Sequence, residues 1–428
     1  MMHFRSLARL LSLGAIPLGV ALSSAACRAQ DRTVASDTAR VRAVVDSLLP
    51  RLQQLAGLRA EQPIRIGYRT RAEVRAYVVH QLDRDMPPEQ MAGIQQAYAA
   101  LGLIPDTMNL RRLLIDLYAE QVGGYYDPDT KTFYTVEGTP PGELRTVLAH
   151  ELVHALQDQH TNLDSLVSRK RGNDRQSAAQ AAVEGQATAV MFVVAMGVAD
   201  PSRLPDLSAQ LRPALEMQNA RFPVFRRAPL VIREAILFPY LQGASFVQAL
   251  WRAHAPRAPA VATGVWPAPL DSLLPQSTEQ VMHPDSFLRL PRDNPTEVRI
   301  AAGGAASWKT GYEDSMGELE TTVFLRQHLG EAAAPHAGIG WDGDEFRLLQ
   351  GPAGERALVW YSVWDAPAAA DAFADAYRRT LAVRPTRHAN VERLTISGRP
   401  VVRVVDAPAG VALESIPVPE VALEGGLP

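Results

Sequence analysis

The stretch Val147-Leu148-Ala149-His150-Glu151-Leu152-Val153-His154-Ala155-Leu156 constrains the fold more than any other. It sets two histidines four residues apart inside an apolar run. On a helix, residues at that spacing share a face about 5–6 Å apart, so both imidazoles can address one metal ion, and zinc suits the pair best. Glu151 follows the first histidine directly, which brings its carboxylate beside the metal's open position, where it can take a proton from water. The flanking residues Leu148, Ala149, Leu152, Val153, Ala155 and Leu156 are uncharged, as a helix buried on its other faces requires. The expectation is a buried helix within a helical body, and the chemistry of zinc-dependent hydrolysis.

Zinc needs a third protein ligand, and two residues compete for the place. His160 stands six residues after His154, a spacing used by metzincins, and Gln280-Val281-Met282-His283-Pro284 resembles their methionine turn. Metzincins break the motif helix with a glycine three residues after the second histidine, where this chain has Gln157. An unbroken helix carries His160 about 15 Å along the axis from His150 at a rise of about 1.5 Å per residue. The other candidate, Glu184, lies in the alanine-rich stretch Ala178-Ala179-Gln180-Ala181-Ala182-Val183-Glu184-Gly185. This reads as a helix opened by Asn173 or Asp174 and ended at Gly197. Its small side chains suit close packing on the motif helix, and a lone carboxylate in so apolar a segment is costly to bury unless paired or metal-bound. Glu184 is the favoured ligand.

Two histidines and a glutamate on a following helix resemble the gluzincin metallopeptidases. The string His150-Glu151-Leu152-Val153-His154-Ala155-Leu156-Gln157-Asp158-Gln159 is similar to the thermolysin-type motif helix, which likewise has an aspartate at the place of Asp158. The resemblance implies His150, His154 and Glu184 as zinc ligands and Glu151 as general base. Gluzincins often orient the first histidine with an aspartate four residues after the ligand glutamate, where this chain has Thr188; Asp158 is the substitute orienter on offer. A longer resemblance is to a group of exported bacterial metallopeptidases. It covers most of residues 120–300, from Gly124-Tyr125-Tyr126-Asp127-Pro128 through the motif helix and Val183-Glu184-Gly185 to Phe238-Pro239-Tyr240-Leu241-Gln242-Gly243 and Ser277-Thr278-Glu279-Gln280-Val281-Met282-His283-Pro284. It implies a zinc hydrolase without specifying a substrate. Within this segment a donor should face the oxyanion that zinc alone leaves half neutralised, and Tyr240 and His283 are the candidates.

The residues around the motif supply the rest of the architecture. Arg5 and Arg9 precede an uncharged apolar run over 10–22, and Ser23-Ser24-Ala25-Ala26 leads to Cys27, the single cysteine. Residues 1–27 thus read as an export signal resembling a lipobox, with Ser24 where an aliphatic residue is usual and Cys27 as the site of a membrane-anchoring lipid. The expected location is the periplasm or cell envelope. One cysteine excludes an internal disulfide, and a net charge of −3 gives no nucleic-acid footprint.

Residues 28–39 are a tether. Helical spacing follows over 39–60, 71–81, 88–101 and 110–118, with a strand over 64–68. Aromatic and β-branched residues around Asp127-Pro128-Asp129-Thr130 predict a β-hairpin over 123–136, whose strand before the motif helix offers a sheet edge for an extended substrate. Thr139 is read as the cap of the motif helix, which should run to about Gln159.

Ala301-Ala302-Gly303-Gly304-Ala305-Ala306 marks a boundary. Beyond it, helices over 316–329 and 367–381, strands over 345–349 and 357–364, and a hairpin around Ser397-Gly398-Arg399 make a small α+β domain over 310–410. Residues 411–428 read as a Pro/Gly-containing tail. The fold class is therefore α+β: a mainly helical, zincin-like catalytic domain over 40–300 with its core at 120–300, and a C-terminal α+β domain. The expected activity is that of a zinc metallopeptidase acting on a peptide or protein. A non-catalytic envelope lipoprotein built on the same scaffold, or a zinc hydrolase of non-peptide substrates, are the alternatives.

Overall fold

The computed structural model describes residues 34–167, 172–254, 266–301, 307–331 and 335–425. The signal segment with Cys27, the first part of the tether, the basic run Arg169-Lys170-Arg171 and most of the Ala/Gly boundary over 301–306 lie outside the described residues.

The protein is α+β, with a helical body followed by a sheet-based unit. Its centre is the pair formed by the motif helix, Pro141–His160, and the alanine-rich helix, Asn173–Met196. A third long helix, Leu230–Ala253, packs along the alanine-rich one, and the N-terminal helix Val34–Ala56 packs against both members of the pair. Both Asn173–Met196 and Leu230–Ala253 are long and apolar enough to span a membrane, but 83% and 67% of their apolar windows are buried within the protein. They are core helices.

Gly185 and Gly243 allow the closest approach. A Cβ on Gly185 would stand 2.1 Å from the carbonyl carbon of Gly243, and one on Gly243 would stand 2.1 Å from the Ala181 oxygen. The small side chains of the alanine-rich helix therefore serve contact with Leu230–Ala253 as much as with the motif helix. No helix is expected from the sequence over 230–253, and Pro239 inside it is a residue that normally breaks a helix interior.

Beside the motif helix lies a three-stranded sheet of order β1 (Arg65–Arg69), β3 (Thr132–Val136), β2 (Gly124–Asp127). β1 runs parallel to β3 and β2 antiparallel, so the expected hairpin forms, with Lys131 at φ 51° in its turn. Thr139 does not cap the motif helix. Its hydroxyl donates to the Gly123 carbonyl at 2.5 Å, which ties the hairpin to the helix start, and the capping position belongs to Pro140.

The C-terminal unit is a five-stranded antiparallel sheet of order β5 (Lys309–Asp314), β6 (Trp341–Gln350), β7 (Arg356–Trp364), β9 (Arg399–Pro408), β8 (Arg387–Ile396). Helices Gly317–Leu329 and Pro367–Thr380 cover one face. The alternation along β7 shows why that strand is almost uniformly apolar. Leu358, Trp360 and Trp364 join the helical core, while Val359, Tyr361 and Val363 face a second cluster with Trp308 and Ile416. That second face is covered by a ribbon of β4 (Thr296–Ile300) and β10 (Val421–Gly425). Part of the segment read as a tail is thus an ordered strand that returns to pair with β4.

Candidate metal centre

His150 and His154 project from one face of the motif helix toward the alanine-rich helix, where Glu184 meets them. His150 Nε2 lies 3.1 Å from Glu184 Oε2 and 3.0 Å from His154 Nε2, and His154 Nε2 lies 3.4 Å from the same carboxylate oxygen. Ligands about 2.0–2.1 Å from a tetrahedral zinc stand about 3.3 Å apart, so the triangle has the dimensions of one face of such a site. His160 is elsewhere, with Nε2 at 2.7 Å from the Arg59 carbonyl. The structure therefore brings Glu184, and not His160, to the histidines.

Hydrogen bonds around the ligands fix their orientation as well as their spacing. Gln157 Nε2 donates to the Val183 carbonyl at 3.0 Å and to Gln186 Oε1 at 2.8 Å, which fixes the amide so that its Oε1 faces His154 Nδ1 at 2.8 Å. His154 therefore donates from Nδ1, which leaves Nε2, the atom aimed at Glu184, as the nitrogen that would bind a metal once its proton is displaced. Gln186 continues the chain by donating to the Ala56 carbonyl at 2.8 Å, anchoring the site to the N-terminal helix. Asp158, the orienter suggested by resemblance, has other partners: the Tyr126 hydroxyl at 2.8 Å and Lys131 Nζ at 2.6 Å. It fastens the hairpin to the motif helix. Thr188 is buried, and its hydroxyl has no partner among the described residues.

Glu151 reaches β2, where Oε2 accepts the Tyr126 backbone N–H at 2.8 Å, and its charge is still felt at His154. Val136 N bonds the Gly123 carbonyl, and pairing alternates along an antiparallel ladder, so Gly124 and Tyr126 turn their backbone groups outward from β3. β3, the strand before the motif helix, is therefore central and not the expected sheet edge; β2 is one of the two edges, but it is buried throughout and its Tyr126 donor is committed to Glu151.

Tyr240, on the helix Leu230–Ala253, completes the cluster. Its ring centroid lies 5.9 Å from that of His150, and its phenol is close enough to feel the Glu184 carboxylate. Burial, then the charges of Glu184 and Glu151, hold its phenol well above the ordinary value, so it remains a donor.

The second candidate, His283, is not brought to this centre. Its Nε2 lies 2.9 Å from Glu318 Oε1 at the seam with the C-terminal unit, and none of its contacts among the described residues involves the ligand triangle.

Burial shapes the electrostatics. His150, Glu151, His154 and Glu184 are each at most 1% exposed. Burial opposes charge on His154, but Glu184 outweighs it and raises the imidazole to about 9. Burial likewise opposes charge on Glu184, yet the two histidines hold its carboxyl down to about 2. For His150, burial dominates and lowers the value.

The sequence reading missed Gln157, Gln186 and the Tyr126 backbone donor. Gln157 falls three residues after His154 and so shares the ligand face. Gln186 is a polar residue in the same apolar helix that singled out Glu184. The Tyr126 contact depends on strand register and has no local signal.

A family model described as a domain of unknown function, DUF8575, matches residues 308–415, which contain the five-stranded sheet. The chain matches no curated protein. No solved structure matches it either.

Proposed function

We propose that the protein is a zinc-dependent hydrolase of peptide bonds, with a zincin-like helical domain. The observation that carries this reading is the convergence of His150 Nε2, His154 Nε2 and Glu184 Oε2 at 3.0–3.4 Å, with the Glu151 carboxylate buried beside them. A zinc ion held by those three atoms would supply a Lewis acid that polarises a carbonyl and acidifies a water. Glu151 takes the proton of the attacking water and passes it to the leaving amine. The Tyr126 N–H holds Oε2 of Glu151 in place for that transfer. Tyr240, kept protonated beside the ligand carboxylate, is the residue we assign to meet developing negative charge. The peptide bond as substrate rests on the likeness of residues 150–159 to gluzincin motif helices.

The near-complete burial of the four groups favours one competing reading, a zinc ion that only braces the fold, since structural sites are closed and catalytic sites keep an open position. Such a site has no use for a carboxylate in the place of Glu151. Elemental analysis of the purified protein, paired with hydrolysis of an unbiased peptide mixture, separates the two. Catalysis predicts about one zinc per chain, lost in Glu184→Ala and kept in Glu151→Gln, with cleavage falling by about 10²–10⁴-fold in the latter. Zinc retained in both wild type and Glu151→Gln, with no cleavage by either, leaves the structural role. Absence of zinc from wild type after reconstitution refutes both.

A further inference from the structure

The seam between the helical body and the C-terminal sheet gathers acids from distant parts of the chain. Glu279 comes from the short helix Thr278–Met282, Asp293 from the loop before β4, and Asp365 from the end of β7. Each offers an oxygen within 4.8 Å of the other two. Asp174 and Asp344 lie close by, and their carboxylates are well supplied. Asp174 accepts from the Thr278 N–H and hydroxyl, and Asp344 from the Met316 and Gly317 N–H groups and from the indoles of Trp341 and Trp360.

Glu279 differs from both. It is 4% exposed, and no hydrogen bond or ion pair reaches its carboxylate among the described residues. A carboxylate in that situation calls for a cation or a proton. Glu318 adds to the demand: Oε1 is bonded to His283, while Oε2 is buried with no hydrogen-bond partner among the described residues. The local positive charge is already engaged, Arg289 with Asp293 at 2.5 Å and Arg399 with Asp342 at 3.5 Å.

We infer that Glu279, Asp293 and Asp365 form a second metal site, which takes a hard divalent cation of the calcium type and clamps the C-terminal unit to the helical body. The ligands are carboxylate oxygens alone, the set preferred by calcium over zinc. Their spread falls within the about 4.6–5.2 Å that opposed oxygens span around calcium. Asp365 is exposed, which gives the ion a way in, while Glu279 and Asp293 are buried behind it. In the absence of a cation, burial and then the charges of Glu318, Asp365, Asp293 and Asp342 push the Glu279 carboxyl up to about 10, so this group carries a proton at neutral pH. The site is independent of the zinc reading.

The test is calorimetric titration of the EDTA-treated, zinc-reloaded full chain with calcium chloride, alongside thermal melts with calcium or with sodium chloride at matched ionic strength. The expected result is one calcium per chain, with Kd of the order of 10⁻⁵–10⁻³ M, and a melting temperature raised by calcium but not by sodium. Glu279→Gln and Asp365→Asn should each weaken binding at least about tenfold. Glutamine matches the size and neutrality of the protonated Glu279, so without calcium Glu279→Gln should melt no lower than wild type, which separates loss of the site from loss of the fold. His150→Ala should keep the calcium response. No heat and no shift up to about 10 mM calcium, an equal shift from sodium, or wild-type affinity in Glu279→Gln would each overturn the inference.

Discussion

Gln157 shows how much of the candidate metal centre depends on a neutral residue. Its amide is held by two acceptors, the Val183 carbonyl and Gln186 Oε1, and that fixed orientation dictates which nitrogen of His154 carries the proton. Replacing it with leucine keeps the volume but removes the acceptor facing Nδ1 and strands Gln186 Oε1 in the core. The expected outcome for Gln157→Leu is a loss of about 10–100-fold in zinc affinity, measured by competition with a chromophoric chelator, with turnover at saturating zinc little changed. Wild-type affinity would mean that His154 is oriented by something else. His150, Glu151 and His154 were legible in the sequence because the zinc chemistry proposed for them needs a fixed spacing on one helix. Glu184 was legible because its charge contradicts its surroundings. Gln157 gave a weaker signal: glutamine is ordinary on a helix, and its importance appears only once both helices are in place.

At the level of elements, Glu184 and Tyr240 arrive at the histidines through one contact, the crossing of Asn173–Met196 and Leu230–Ala253 at Gly185 and Gly243. Glu184 adjoins Gly185, and Tyr240 lies one helical turn before Gly243, so the crossing distance sets where both side chains end up. A Cβ at Gly243 would stand 2.1 Å from a backbone oxygen that no rotamer change can move. Gly243→Ala must therefore force the helices apart. The expectation is a stability loss of about 1–3 kcal/mol or more, in the range for overpacked cores, together with weaker zinc binding. Urea denaturation and the same chelator competition measure the two effects. Gly142→Ala is the control: its Cβ meets nothing within 4 Å in the first turn of the motif helix, and it should be neutral or stabilise by up to about 1 kcal/mol. Equal behaviour of the two variants would show that the crossing is not tight. The sequence pattern identified the alanine-rich helix but not its partner. Leu230–Ala253 is buried around most of its circumference, which erases the periodicity that betrays a half-exposed helix, and Pro239 argues locally against any helix at all.

Across the whole molecule, the body and the C-terminal unit share one continuous core, with Trp360, Phe373 and Tyr377 in the same cluster as the motif helix. No sequence window could show this, because the seam joins positions more than a hundred residues apart, as in the bond from Thr278 to Asp174. Asp174 makes the seam sensitive to pH. It fills the space left open at Gly317, whose φ is +67° and whose Cβ would lie 2.0 Å from the carboxylate. Burial outweighs the hydrogen bonds from Thr278, and with repulsion from Asp344 and Glu318 it raises the carboxyl from 3.8 to about 7. The folded protein therefore holds a proton between about pH 4 and 7 that the unfolded chain has released, and the stability due to this group falls as pH rises through that window and is level above it. An asparagine keeps Oδ1 as acceptor for Thr278 and cannot ionise. Asp174→Asn should thus gain on wild type between pH 4.5 and 7.5, by an amount of the order of a few kcal/mol at most, in urea denaturation at fixed calcium. A difference between the two proteins that stays constant with pH would mean that Asp174 is ionised throughout, and that Thr278 alone stabilises its charge at the seam.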